Sequence, residues 1–170
     1  DTTPLVKYSY DGIAYLGCAS ALSTSNAIGR RTAMCDGAGQ ESWSYEIVPG
    51  VGWKTTDRRT TNGVTNDFVY QNNFASSIAS LTYPNNRVIT YEYDAAGRAL
   101  SAVDTANSIN YALNASYAPH GAVAAVLHGQ SGGFAGITQT QTYNPRLQPS
   151  TIFASSTNGT VLDFAYSFNY

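Results

Sequence analysis

The sequence predicts an all-β chain: a meander of repeated antiparallel β-hairpins with a period of about 24 residues, forming a continuous curved sheet as a solenoid or a shell segment. Two observations lead to this prediction. Tyrosines recur at a nearly constant spacing, and runs that alternate in polarity are separated by turn residues. No stretch keeps a 3.6-residue apolar period between helix caps, so no helix is predicted.

The repeat is visible in the tyrosines that end successive strand-like runs. From the second to the seventh, the spacings are 25, 23, 24, 26 and 23 residues. A fixed period in this range indicates a repeat architecture. The first spacing is longer, with 35 residues between Tyr10 and Tyr45. The predicted repeat positions are Tyr10, Tyr45, Tyr70, Tyr93, Tyr117, Tyr143 and Tyr166.

The local chemistry of one repeat is clearest in residues 87–103. The segment RVITYEY alternates between two faces and is rich in β-branched and aromatic residues, which favours a strand. Asp94 then begins a predicted type I turn, because its carboxylate can accept backbone N–H groups. Gly97 is the fourth residue, where a left-handed backbone carries no Cβ strain. A second strand resumes at Arg98.

The two cysteines, Cys18 and Cys35, both lie in the oversized first repeat. Their spacing matches no zinc-binding pattern, since no CxxC or HxxxH accompanies them. In a secreted protein they would most simply form a disulfide that holds the long loop, and two free buried thiols are the alternative.

Composition and charge limit the functional classes. The chain is 43% hydrophobic but only 12% charged, with a formal net charge of −2. No basic stripe is present to neutralise phosphates, so nucleic-acid binding is not expected. No run approaches 18 apolar residues, so no membrane span is expected. A low-charge chain rich in Tyr, Asn, Ser and Thr is typical of a secreted or cell-surface β protein. The start at Asp1 is what a processed chain or an excised piece would show.

The segments YSYDG (residues 8–12) and VITYEYDAAGRALSAV (residues 88–103) resemble the YD-repeat, or RHS-repeat, family, named for a Tyr-Asp pair followed by Gly-Arg. Tyr10-Asp11, Tyr93-Asp94 and Gly97-Arg98 carry the motif, while later units such as YAPHG and YNPRL are degenerate. The resemblance implies hairpins wound into a hollow shell. Such shells occur in bacterial polymorphic toxins, insecticidal toxin complexes and teneurin receptors, and commonly enclose a toxic C-terminal domain.

Two features of that family are missing from the sequence. It has no DPxG-like segment for aspartate-dependent self-cleavage, and no cargo domain. A closed shell also needs a much longer array. We therefore expect residues 1–170 to form one repeat domain, either a segment of a larger array or a self-assembling subunit.

Several residue types bear on chemistry, and each has a simpler structural interpretation. Tyr-Asp pairs suit sugars, but packing of Tyr on neighbouring repeats and turn formation by Asp are favoured. Arg98 is either an anion ligand or, as favoured, lies over a Tyr face or pairs with a turn carboxylate. His120 and His128 accompany no recognisable nucleophile. Trp43 and Trp53 are expected to pack rather than to bind a ligand.

The acidic residues Asp57, Asp67, Asp94 and Asp104 each fit a turn or a strand end, so paired carboxylates for glycoside hydrolysis are not favoured. No enzyme, cofactor or metal is predicted. The sequence predicts an extracellular structural protein, a shell segment or a head-to-tail filament subunit. Its partners are other copies, paired edge to edge, or adjacent repeats of a larger chain. The alternative is a module that binds a glycan or a cell-surface protein through exposed Tyr and Trp.

Overall fold

The computed structural model of the chain describes residues 5–46, 52–157 and 159–165. The chain divides into two compact units, Asp1–Arg87 and Val88–Tyr170. The strands of the first unit are β1 (Lys7–Tyr10), β2 (Arg31–Cys35), β3 (Gly39–Tyr45), β4 (Lys54–Thr61), β5 (Val64–Asn72) and β6 (Ile78–Thr82). Those of the second are β7 (Val88–Tyr93), β8 (Ala99–Asp104), β9 (Ile109–Tyr117), β10 (Val123–Gln130), β11 (Ile137–Tyr143), β12 (Pro149–Ser156) and β13 (Gly159–Ala165).

Within each unit, strands that are consecutive in the sequence pair with each other and run antiparallel. The described residues contain no helix. The predicted all-β meander of antiparallel hairpins is therefore confirmed. Because consecutive strands run in opposite directions, every second turn of a unit lies at the same end of its strands. The expectation of one domain over residues 1–170 stays a prediction.

In the second unit, β7 and β11 alternate in exposure along their length, and for β7 the sequence predicts this alternation. In β7, Ile89 is 4% exposed, while Val88 and Thr90 on either side are exposed. Few side chains are fully buried, and they include small and polar ones such as Ser101 and Asp104. With so thin a core, strand pairing and cross-strand side-chain contacts carry much of the stability, at about 0.2–1 kcal/mol for each favourable cross-strand pair.

In the first unit, residues 12–28 form an insertion between β1 and β2. This insertion packs against one face of the sheet. Tyr15 N–H donates to Ser9 Oγ at 2.9 Å, and Ala21 N–H donates to Ser42 Oγ at 3.0 Å. Arg58, on β4, reaches the Ala21 carbonyl at 3.3 Å. Ser9 and Ser42 are each 1% exposed, so the insertion satisfies polar groups that it also buries.

A disulfide joins the insertion to β2. Cys18 and Cys35 are bonded, with their Cα atoms 5.8 Å apart, which confirms the pairing predicted from the sequence. In the chain-entropy model, closing a loop of this size stabilises the folded state by roughly 3 kcal/mol. The described residues contain no free cysteine. They also include no helix long and apolar enough to cross a bilayer.

Candidate functional site

The turn at residues 94–98 shows how the Tyr-Asp and Gly-Arg pairs form one unit. Gly97 N–H donates to the Asp94 carbonyl and Asp94 N–H donates to the Arg98 carbonyl, both at 2.9 Å. Gly97 has a φ of +76°, as expected for the left-handed residue after a type I turn in a hairpin with a bulge. Asp94 Oδ1 accepts the N–H groups of Ala96 and Arg98 at 2.9 and 3.0 Å. The turn predicted from the sequence is therefore the one observed.

The same backbone geometry persists where the motif is degenerate. At residues 144–148, Asn144 N–H donates to the Gln148 carbonyl at 2.9 Å and Leu147 N–H donates to the Asn144 carbonyl at 2.8 Å. Asn144 Oδ1 accepts two turn N–H groups, as Asp94 does. The left-handed residue is then Leu147, with a φ of +65°. Turns with the same two backbone bonds lie at residues 73–77, 83–87 and 118–122. We call the turns at residues 73–77, 94–98, 118–122 and 144–148, which follow β5, β7, β9 and β11, the repeat turns.

The first repeat contains the same turn, split by the insertion. Asp11 N–H donates to the Arg30 carbonyl at 3.0 Å, as Asp94 does to Arg98. Gly29 N–H donates to Asp11 Oδ1 at 2.6 Å. Tyr10-Asp11 and Gly29-Arg30 are thus the two halves of one motif, with residues 12–28 inserted between them. The long spacing from Tyr10 to Tyr45 arises from this insertion.

Tyrosine hydroxyl groups connect neighbouring strands at those strand ends where the repeat turns lie. Tyr45 Oη donates to the Arg31 carbonyl at 2.6 Å. Tyr117 Oη donates to the Ala99 carbonyl at 2.5 Å, and Tyr143 Oη to the Val123 carbonyl at 2.6 Å. Each acceptor is the first residue of the adjacent strand. The bond therefore closes a hairpin at the end that has no connecting turn.

The rings of these tyrosines contact a cationic or aromatic side chain from the preceding turn. The Arg98 guanidinium carbon lies 4.7 Å from the centre of the Tyr117 ring, and that of Arg30 lies 5.3 Å from Tyr45. His120 packs edge-on against Tyr143, with ring centres 4.5 Å apart. We call each combination of ring contact and hydroxyl bond a tyrosine staple. The staples are Tyr45 with Arg30 and Arg31, Tyr117 with Arg98 and Ala99, and Tyr143 with His120 and Val123.

Arg98 makes both of the contacts that the sequence offers as alternatives. Its guanidinium lies over Tyr117 and also pairs with Asp94, at 2.6 Å from Nη2 and 2.7 Å from Nε to Oδ2. The hydrogen bond from Arg98, followed by backbone N–H donors, lowers the pKa of Asp94. This one arginine thus joins its own turn to the strand of the next repeat.

Among the other predicted repeat positions, Tyr70 departs from this pattern. Tyr70 lies two residues before the end of β5, and Asn72 lies where the other repeats have tyrosine. Asn72 Nδ2 donates to the Lys54 carbonyl at 3.3 Å, while Lys54 Nζ lies 4.5 Å from the centre of the Tyr70 ring. Tyr93 is half-buried directly before the turn at residues 94–98. Tyr166 lies outside the described residues.

The two tryptophans lie in the first unit and the two histidines in the second. His128 is exposed on β10, where it pairs with Ile137 of β11. Trp43 is only 6% exposed, with the Arg31 guanidinium 4.3 Å from its ring centre. Trp53 Nε1 donates to Ser76 Oγ at 3.0 Å. Among the described residues, no three His, Cys, Asp or Glu side chains are grouped so that they could hold a metal ion.

The other predicted carboxylates have structural partners. Asp67 forms a bidentate pair with Arg58, at 2.7 and 2.6 Å. Asp57 pairs with Lys54 at 2.9 Å. Asp104 is fully buried and accepts the backbone and side-chain N–H groups of Asn107 at 3.0 and 2.8 Å.

Sequence reasoning missed one pair of acidic residues, Glu41 and Asp57. They lie on adjacent strands, with Trp43 opposite Asp57 and Arg59 opposite Glu41. Burial, followed by the hydrogen bond to Asp57, raises the pKa of Glu41. Only the register of β3 against β4 places these carboxyl groups together, and no local motif in the sequence encodes that register.

An open depression of about 570 Å³ lies between the repeat turns at residues 118–122 and 144–148. His120 and Tyr143 line it together with Gln141 and Asn144. At this repeat, Ala118 and Ala122 stand where the motif of residues 93–98 has Asp94 and Arg98. The pair of charged side chains that accompanies the Tyr117 staple is therefore replaced here by two methyl groups.

Comparison with known proteins supports the resemblance seen in the sequence. Residues 78–109 match the model of the family RHS Repeat, which confirms the predicted resemblance. This match spans the turn at residues 94–98 and the strands on both sides of it. A search of curated proteins finds no matching sequence.

The fold is also similar to solved structures. In the crystal structure of TcdB2-TccC3, the similar region has a TM-score of 0.72 and 12% sequence identity, and covers 89% of this chain. In that of TcdB2-TccC3-Cdc42, the TM-score is 0.71 at 12% identity, with 85% of this chain covered. In both, the match spans only 8% of the other chain. At this identity the likeness shows the fold alone.

At the left-handed position of the repeat turns, removing a glycine and introducing one should change the free energy of unfolding in opposite directions. We expect Gly97→Ala to lower the free energy of unfolding by about 1 kcal/mol, because alanine is strained at this φ. An added Cβ there meets no atom within 4 Å, so the effect is one of backbone strain alone. Leu147→Gly relieves the same strain, and we expect a gain of about 0.5–1 kcal/mol.

Urea denaturation of both variants measures these changes, and Ala95→Gly is the matched control. Ala95 lies in the same turn as Gly97 without a positive φ, so glycine there should destabilise. A destabilising effect of Leu147→Gly with an unchanged m-value would contradict the strain interpretation.

The charge pair of the turn predicts a pH-dependent cost for Asp94→Asn. The pKa of Asp94 is lowered in the folded state, so its contribution is complete above the ordinary aspartate pKa of about 3.9 and disappears as pH falls through the lowered value. Asparagine keeps the acceptor for the turn N–H groups, as Asn144 does. We therefore expect Asp94→Asn to destabilise at pH 7 and to become neutral at strongly acid pH.

Unfolding free energies of both proteins, measured by denaturant titration from pH 7 to pH 2, provide the test. In an Arg98→Met background the pH-dependent part of the difference should shrink, because the main cause of the lowered pKa is absent. A difference that is the same at every pH would show that the charge pair contributes nothing.

Proposed function

We propose that the chain is a non-enzymatic, extracellular structural protein, a β-scaffold in which each repeat supplies the pairing strand and the staple contacts of the next. The observation that carries this proposal is the staple geometry. The contacts of Tyr45, Tyr117 and Tyr143 all run from one repeat to the preceding one. Cohesion between copies of a unit, rather than around one central core, is typical of a repeat scaffold.

The use of the charged side chains supports a non-enzymatic role. Arginines and aspartates pair with each other across strands and within turns, as Arg58 does with Asp67 and Arg59 with Asp36. A catalytic site needs titratable groups that converge on an open cavity. Here the paired charges stabilise turns and register instead.

An extracellular location is supported by the disulfide and the composition. Structural disulfides such as Cys18–Cys35 occur mainly in oxidising compartments, which include the extracellular space. The low share of charged residues agrees with the composition expected of a surface β protein.

Two forms of scaffold fit these observations. In the first, the chain is a segment of a larger shell, which agrees with its match to 8% of the TcdB2-TccC3 chain and with the RHS Repeat match. In the second, separate chains join head to tail through free strand edges, and such a contact yields a filament where it does not close. In both, the partner is another repeat.

A second candidate function is the binding of a glycan or a cell-surface protein. The depression beside His120 and Tyr143 favours it, because an aromatic wall with neighbouring amide groups is typical of a small-molecule site. Trp43 is not available for this role, since it is buried beneath Arg31.

Sedimentation velocity at rising concentration, with electron microscopy of the same samples, distinguishes these proposals. Filament subunits should grow in mass with concentration and appear as fibres. A strict monomer would contradict the filament form. Specific glycan binding that Tyr143→Ala abolishes in a folded monomer would contradict the scaffold role and favour the second candidate.

A further inference from the structure

The insertion between β1 and β2 is an addition to an otherwise complete repeat motif. If residues 12–26 of it are left out, Asp11 is followed directly by Ala27, and the sequence reads YDAIGR. Residues 93–98 read YDAAGR. The turn itself therefore has no need of the added segment. Because ordering such a segment costs conformational entropy, a role outside the turn is indicated.

The insertion begins with an apolar tip, residues 12–17, which has the sequence GIAYLG. Ile13, Tyr15 and Leu16 are each more than half exposed, at 70%, 58% and 61%. The whole insertion contains no charged side chain. Directly after the tip comes the buried Cys18, which the disulfide fixes in place. Clustering of exposed apolar side chains, as opposed to scattering, marks a contact surface.

The tip lies over a face of the sheet and not beside its first strand. Ser9 Oγ accepts Tyr15 N–H at 2.9 Å and donates to the Cys18 carbonyl, so a side chain of β1 holds the tip. Side chains of a strand stand roughly perpendicular to the sheet, whereas a neighbouring strand lies in its plane. A strand beside β1 would therefore lie next to the tip and not on top of it.

Hydrogen bonds within this part of the chain satisfy polar backbone groups of the tip. They run from Ile13 N–H to the Tyr10 carbonyl at 2.8 Å, from Cys18 N–H to the Tyr15 carbonyl at 2.9 Å, and from Lys7 Nζ to the Leu16 carbonyl at 3.1 Å. Backbone groups that leave water without a partner are costly. A loop whose own turns bind these groups can enter an apolar layer at a lower cost.

The charge near the tip is positive. Residues 5–35 contain Lys7, Arg30 and Arg31 but only one acidic residue, Asp11, whereas the whole chain has a formal net charge of −2. The ammonium group of Lys7 reaches the tip itself. Basic side chains beside an exposed apolar segment are typical of surfaces that bind anionic lipid headgroups.

A bilayer fits this tip better than a protein partner does. A stable protein interface buries roughly 800 Å² on each side and uses about 20–30 residues of each partner. The tip offers only residues 12–17. A bilayer sets no such requirement of shape or area, because its interface admits apolar side chains of any arrangement.

We propose that residues 12–17 are a membrane-surface anchor for a bilayer that contains anionic phospholipid. Ile13, Tyr15 and Leu16 enter the boundary between the headgroups and the acyl chains, and Lys7 contacts the anionic headgroups. Tyrosine suits this boundary because its ring is apolar and its hydroxyl group stays in contact with water. The inference goes beyond the proposed scaffold role and does not depend on it.

Flotation with lipid vesicles tests the anchor. The intact, disulfide-bonded chain should bind vesicles of equal parts phosphatidylcholine and phosphatidylserine, and bind pure phosphatidylcholine more weakly. Ile13→Ser combined with Leu16→Ser should weaken binding at least about 10-fold, since most of the apolar contact is lost. Lys7→Gln should weaken binding to the anionic vesicles about 3- to 5-fold.

Phe74→Ser is the matched control, because Phe74 is fully exposed in the repeat turn at residues 73–77, away from the insertion. Its vesicle binding should equal that of the wild type. Tyr15→Trp reports on position: its fluorescence should shift to shorter wavelength on anionic vesicles, whereas that of Phe74→Trp should not shift.

A deletion of residues 12–26 together with Cys35→Ser tests whether the anchor is separable from the fold. This variant should keep the circular dichroism of a β-sheet and lose vesicle binding. Should it fail to fold, the variant with two serines, which keeps the disulfide, still decides the question.

Absence of binding to anionic vesicles, equal binding to both kinds of vesicle, or equal weakening by Phe74→Ser and the two serines would overturn the inference. Association of the chain with itself that the two serines abolish would also overturn it, because a second copy would then cover the tip. The scaffold function fails on a different result, namely a monomer that binds a glycan. The two failures are therefore distinguishable.

Discussion

The structure depends on holding each hairpin together at the end where no turn joins its strands. Antiparallel strands separate most readily at that end, and the described core is too thin to prevent it. The tyrosine staple supplies the missing connection. In the staple at Tyr117, the hydroxyl donates to the first carbonyl of β8 and the Arg98 guanidinium lies over the ring. One side chain thus fixes the register of β9 against β8 and holds the ends of the two strands together. A hydrogen bond and a cation–π contact of this kind each contribute about 0.5–1.5 kcal/mol.

This arrangement explains how repeats of diverging sequence keep one geometry. The turn requires a backbone that can place one residue in the left-handed region, and a side-chain acceptor at its first position supports it without being required, since Ala118 begins one of the repeat turns. Aspartate and asparagine both serve as acceptor, and even leucine is tolerated at the left-handed position. The ring partner of the tyrosine likewise changes from Arg98 to His120 while the hydroxyl bond remains. The contacts that these repeats share are made to backbone groups, which are present whatever the side chain.

The sequence predicts the local features of the fold and misses those that register creates. The turn at Asp94 and Gly97 is predictable because its chemistry lies within five consecutive residues. The Cys18–Cys35 bond is predictable from the extra length of one repeat. The split of the first motif is not, because Gly29-Arg30 lies far along the chain from Tyr10-Asp11. The exchange of Tyr70 for Asn72 and the contact of Glu41 with Asp57 also need three-dimensional information. The tyrosine spacings of 25 and 23 residues on either side of Tyr70 do not reveal that Tyr70 lies two residues before the expected position in its strand. The contact of Glu41 with Asp57 depends on the pairing of β3 with β4, which is non-local.

The coupling free energy between Arg98 and Tyr117 tests the central claim most directly. It is obtained from the unfolding free energies of the wild type, Arg98→Met, Tyr117→Leu and the double variant. The cycle cancels the separate interactions of each residue, including that of Arg98 with Asp94. If staples hold the repeats together, the coupling should be about 0.5–1 kcal/mol and stabilising. Losses that add to within about 0.3 kcal/mol would show that the two side chains act independently and would contradict the account.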